Sequence, residues 1–204
     1  PTADRAYLVN RVAAEKYPDV KFTAFGGLCL NRPVGGLNPD AVETSLKLGA
    51  KVIWLPTNTA ENHYRKNGKD PSKGVVVTRD GKAVDELQDI FALVKQYNAV
   101  LATGHIGAEE CFPVVEAARA AGVEKIVITH PEFWVVGMTP EQQADIVRKY
   151  DVLLESVYAQ PVNGGYKINI PDNIAAMKAI GPEHFVISTD SGQTVNPYWY
   201  ESYT

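Results

Sequence analysis

Six short apolar segments, each followed by a polar loop and then by a stretch with helical spacing, constrain the fold more than any other feature of this sequence. They are Phe22 to Leu28, Val52 to Leu55, Ala99 to Thr103, Ile126 to Thr129, Val152 to Glu155 and Phe185 to Thr189. Strand-sized segments alternating with helices predict βαβ units and a parallel sheet. Several are apolar at consecutive positions, as strands covered on both faces are. A helix is expected ahead of them over Asp4 to Lys16. Six such units in 204 residues average about 34 residues each, and two more would approach the ~250 residues of an eight-stranded barrel. The expected architecture is therefore α/β, a (β/α)8 TIM barrel in one domain over residues 1–204, lacking its first two βα units and its last helix.

The helix boundaries carry their own chemistry. Asn38-Pro39 offers a cap followed by proline at the first helical position, and Gly49 stands where that helix should stop. Thr139-Pro140-Glu141-Gln142 reads as a capping box. Pro171-Asp172 opens another helix that Gly181-Pro182 ends, and Glu109 and Glu110 read as helix N-terminal charges. Residues 59–86 interrupt the pattern as a loop insertion, with Asp80-Gly81 predicting a small hairpin beside Val75-Val76-Val77-Thr78.

Charge and cysteine content narrow the function. Twenty Lys and Arg against 24 Asp and Glu give a net charge of −4, with no basic block, which argues against nucleic acid or a membrane surface as partner. The apolar runs are far shorter than the ~20 residues of a membrane span, and no signal peptide precedes them. Cys29 and Cys111 cannot build a disulfide framework and read as reduced packing residues, so a cytoplasmic location is expected. Gly26-Gly27 and Gly35-Gly36 fit neither phosphate-loop nor dinucleotide spacing.

Three groups stand at strand ends: His105 in Thr103-Gly104-His105, His130 in Thr129-His130-Pro131 and Asp190 in Ser188-Thr189-Asp190. In a parallel barrel the C-terminal strand ends form one rim, where residues distant in sequence converge. Two imidazoles and a carboxylate there make a metal or acid-base site. Taken singly, a histidine after a strand is by default a hydrogen-bonded structural residue, and an Asp before Ser-Gly a turn former. Arg32, Asn58, His63 and Glu155 share the same rim and are candidate substrate contacts, Arg32 as a clamp for a carboxylate. His184 precedes the last strand and belongs to the opposite rim.

These motifs, in this order, resemble the metal-dependent amidohydrolase superfamily of TIM barrels. The likeness extends to an uncharacterised bacterial branch through Leu30-Asn31-Arg32-Pro33-Val34-Gly35-Gly36-Leu37-Asn38-Pro39, Trp54-Leu55-Pro56-Thr57 and Asp190-Ser191-Gly192-Gln193. The resemblance implies His105, His130 and Asp190 as metal ligands and Asp190 as general base. It implies one divalent metal, Zn2+ with Mn2+ or Fe2+ as alternatives, since no lysine follows the Val52 to Leu55 strand to bridge two ions and His63 is placed to add a ligand. The superfamily's N-terminal His-x-His is absent here, as expected of a chain whose first two units are missing. The implied activity is a hydrolase that cleaves an amide, lactone or other ester-like bond of a small molecule. The alternatives are non-oxidative decarboxylation at the same site, or a non-catalytic barrel that binds. An open barrel exposes strand edges, so homo-oligomers are expected.

Overall fold

The computed structural model describes residues 3–158, 170–192 and 200. A six-stranded parallel sheet runs β1 (Gly26–Cys29), β2 (Ala50–Trp54), β5 (Val100–Ala102), β6 (Lys125–Ile128), β7 (Leu153–Val157) and β8 (Phe185–Ser188), every neighbour in chain order. The hairpin strands β3 (Thr78–Arg79) and β4 (Lys82–Ala83) form a separate antiparallel pair. Seven helices accompany them among the described residues: α1 (Asp4–Lys16), α2 (Pro39–Lys47), α3 (Glu61–Lys66), α4 (Leu87–Gln96), α5 (Ala108–Ala120), α6 (Pro140–Tyr150) and α7 (Ile170–Ile180). Parallel neighbours force each strand to be followed by a return crossover, so all six C-terminal strand ends lie on one rim. Pairing of β8 with β1 is absent among the described residues, and none of their helices is long and apolar enough to cross a membrane.

The core is one cluster between sheet and helices. Leu28, Ile53, Leu101, Ile128 and Leu154 from the sheet meet Val42, Ile90, Phe91, Val94, Val114 and Ile146 from α2, α4, α5 and α6. The helix signals operate as their chemistry requires. Asn38 Oδ1 accepts from the amides of Asp40 and Ala41, and Gly49 takes φ +93° one residue past the end of that helix's cap. Thr139 and Gln142 satisfy each other's amides reciprocally. At the opposite rim the Arg119 guanidinium donates to the carbonyls of Tyr150, Val123, Glu124 and Asp151, tying two helix-to-strand junctions together. His184 lies at that end too, 4.0 Å from Asp151.

Three segments differ from the sequence-based expectation. The first strand begins at Gly26, not Phe22, because Asn10 of α1 holds both the amide and the carbonyl of Ala24 and leaves Phe22 and Phe25 exposed. The polar stretch after residue 60 is not all loop: Glu61–Lys66 is a helix with a Glu61–Arg65 pair one turn apart. Cys29, read as packing, is only half-buried. The hairpin turns on Asp80 and Gly81, both at positive φ as a type I′ turn needs.

Candidate active site

Two threonines explain why His105 and His130 sit where they do. The Thr129 amide donates to Thr103 Oγ1 at 3.0 Å, and the Gly104 amide donates to Thr129 Oγ1 at 3.0 Å. Both hydroxyls are buried, so the ends of β5 and β6 are latched by reciprocal bonds immediately before each histidine. Thr103→Val keeps the shape of the side chain but leaves the buried Thr129 N–H without an acceptor. It is expected to cost about 1–3 kcal/mol in urea unfolding, more than Thr23→Val at an exposed position.

A cavity of about 340 Å³ opens at this rim. Its walls include Asn58, His105, His130, Glu155 and Asp190, together with Trp54 and Cys29. The His105 and His130 ring centroids are 5.0 Å apart, and His130 packs edge-on against Phe133 at 4.5 Å. Burial disfavours the charged imidazolium, pushing His105 down to about 2 and His130 down to about 4, and His105 is further depressed by its histidine neighbours. Both are therefore neutral at physiological pH, the form in which histidine binds metal. The two carboxylates go the other way. Burial raises Glu155, opposed by the hydrogen bond from Ser188 Oγ at 2.8 Å and reinforced by the charge of Asp190. Asp190 is also raised by its protein walls although its side chain is exposed. His130 and Asp190 both adopt left-handed backbone, φ +28° and +48°, a conformation that Asp and His tolerate better than most residues.

Of the seven candidate residues, five line this one cavity. His63 lies behind it, with Nδ1 at 2.7 Å from His105 Nδ1. Arg32 lies elsewhere: its guanidinium donates to the Lys73 carbonyl at 3.1 Å and borders a neighbouring cavity with Gly35, Gly36 and Arg79. Its neighbour Asn31 is a hub, accepting from the Thr57 and Thr59 amides and donating to Thr57 Oγ1, so it ties the loops after β1 and β2 together. Two residues became visible only in three dimensions. Asn62 is buried and bonds the carbonyls of His105 and Val135, yet a polar residue in a polar stretch carries no sequence signal. Glu132 buries both carboxylate oxygens without a partner among the described residues, and burial pushes it up to about 7.

The donor types suit a borderline transition metal: neutral imidazoles beside carboxylates, with His130 Nδ1 buried and unpartnered among the described residues. As arranged, they form part of a coordination sphere. No three His, Cys, Asp or Glu side chains among the described residues are gathered closely enough to hold an ion.

The chain is a parallel α/β sheet that carries its histidines and carboxylates at the C-terminal strand ends, and solved structures share this fold. The chain is similar to an amidohydrolase from Pseudomonas aeruginosa, with TM-score 0.51 and 15% identity over 80% of this chain and 49% of that one. It is similar to 2,6-dihydroxybenzoate decarboxylase from Rhizobium, with TM-score 0.52 and 15% identity over 98% of this chain and 68% of that one. It thus spans about half the length of the Pseudomonas protein and two thirds of the decarboxylase. No curated protein matches the sequence. Residues 1–155 match the model described as a family of unknown function, DUF6282, and the chain belongs to that family.

Proposed function

We propose that this chain carries the reaction centre of a metal-dependent hydrolase acting on an amide, lactone or other ester-like bond of a small molecule. The observation that carries the reading is the meeting of His105 and His130 on one cavity wall with Glu155 and Asp190 on the same cavity. His105 and His130 would hold one divalent transition metal, with zinc the best match to the donors, and Asp190 stands as a further ligand or proton carrier. Such an ion supplies Lewis acidity toward a carbonyl and lowers the pKa of water toward ~7. The chain's own residues do the rest. His105 and His130 stay neutral and keep lone pairs for binding, while Asp190, exposed to the cavity mouth, takes a proton from water and passes it to the leaving group. Asn58 and Glu155 border the space left for substrate.

A second reading, non-oxidative decarboxylation at the same residues, draws on the broader overlay with the decarboxylase and on the raised Glu155 and Asp190, which suit a proton donor. Release of carbon dioxide from a panel of hydroxybenzoates, against acid release from a panel of esters and lactones, separates the two.

The metal is tested directly. Chelator-stripped full-length protein, titrated with Zn2+, is expected to take up about one ion per chain, and His130→Ala to weaken uptake by at least ~100-fold. Zinc uptake unchanged by both His105→Ala and His130→Ala would overturn the assignment.

A further inference from the structure

The insertion after β2 acts as a buttress behind the cavity. On α3, Asn62 is 3% exposed and donates Nδ2 to the carbonyls of His105, at 3.0 Å, and Val135, at 2.7 Å. The next residue, His63, lays its ring parallel to that of His105, with centroids 4.9 Å apart and planes 16° from one another, and brings Nδ1 to 2.7 Å from His105 Nδ1. Two consecutive residues therefore hold the backbone and the ring of one histidine.

The nitrogen contact dictates a tautomer. Two lone pairs facing each other at 2.7 Å repel, and so do two N–H groups, so one Nδ1 carries a hydrogen and the other accepts it. A neutral ring that donates from Nδ1 keeps a lone pair on Nε2, and a neutral ring that accepts at Nδ1 carries its hydrogen on Nε2, so the two tautomers are opposite. The choice of donor follows from what surrounds the remaining nitrogens. His105 lines the cavity and His63 does not, so with its Nδ1 engaged by His63 the second nitrogen of His105 is the one left for a cavity ligand. A lone pair on that second nitrogen can bind a cation in the cavity, whereas an N–H there cannot. His63 is only partly buried, so water can accept from its Nε2–H.

We infer that His63 is a positioning residue: it accepts the Nδ1–H of His105 and so fixes the tautomer that leaves His105 Nε2 as a lone pair for the cavity. This rests on the proposed role of His105 as a metal ligand. The orienting task is one that metal sites commonly give to a carboxylate or a backbone carbonyl.

The tautomers are read from ring-nitrogen NMR on chelator-stripped full-length protein, and Zn2+ affinity from competition with a chromogenic chelator. The expected result is an Nδ1–H on His105 and an Nε2–H on His63. His63→Leu removes the acceptor, mixes the His105 tautomers and lowers Zn2+ affinity about 10–100-fold, while His63→Gln offers a carbonyl in its place and restores both. An Nε2–H on His105 in the unmodified protein overturns the inference, and that measurement needs no variant to fold. So does His63→Leu with tautomer and affinity unchanged. If the expected tautomers appear and no form binds Zn2+, the positioning stands and the metal reading fails.

Discussion

Gly104→Ala is expected to destabilise the protein by roughly 2–6 kcal/mol, combining a strained left-handed alanine with a local overpacking clash. Gly104 takes φ +65°, and a Cβ there would lie 2.5 Å from the Leu55 carbonyl oxygen and 2.7 Å from that of Pro56. Those atoms are backbone and cannot swing aside. The close approach has a purpose, since the next amide, that of His105, donates to the Pro56 carbonyl at 3.0 Å and draws the loop after β5 over the end of β2. Gly81→Ala is the control: its φ is +72°, but nothing lies within 4 Å of the added methyl, so only the conformational cost of about 1–2 kcal/mol applies. Urea midpoints of the two variants measure the difference. Equal shifts would mean that the β5 loop relaxes freely and does not fix His105. For a domain of ordinary stability, about 5–15 kcal/mol, the larger loss endangers folding itself.

Acidification is expected to act on the same region with two opposing signs. His130 and His105 titrate at about 4 and about 2 in the folded protein, below their usual value. As pH falls through ~6.5 the unfolded chain takes up protons that the folded one refuses, so stability present above that pH is lost, about 3 kcal/mol for each by about pH 4. Glu132 is raised to about 7 by burial. Its contribution is fully present at low pH and is lost as pH rises from about 4.5 through about 7, again on the order of 3 kcal/mol. One carboxyl thus offsets one imidazole. In chemical denaturation of chelator-treated protein between pH 7 and pH 4, these three groups together should contribute a net loss near that of a single histidine. Glu132→Gln, which no longer titrates, should lose on the order of 3 kcal/mol more on acidification than the unmodified protein. A Glu132→Gln profile parallel to the unmodified one would show that this carboxyl is ionised and solvated in the folded state.

The strands and helices were legible because their signals are local. Asn38 before Pro39, Thr139 with Gln142, and Asp80-Gly81 act through bonds spanning a few residues, and the structure contains each. His105 and His130 were legible for a related reason: position at a strand end is set by the strand, and parallel topology carries every such end to one rim. The first strand was misjudged because Phe22 to Phe25 looks like a strand locally while Asn10, fourteen residues from Ala24, claims the backbone. Arg32 follows a strand as His105 does, but its long side chain reaches the Lys73 carbonyl and turns away from the histidines.

By itself, then, the sequence determined the parallel α/β order, the caps and turns, and which strand ends carry imidazole or carboxylate, because periodicity and capping act over one to four residues. Only the tertiary structure decided that His63 meets His105, that Asn62 and Glu132 are buried, and that Arg32 belongs to another cavity. Those outcomes depend on contacts between loops tens of residues apart, where the direction of a side chain follows from packing and desolvation and not from the identity of its neighbours in the chain.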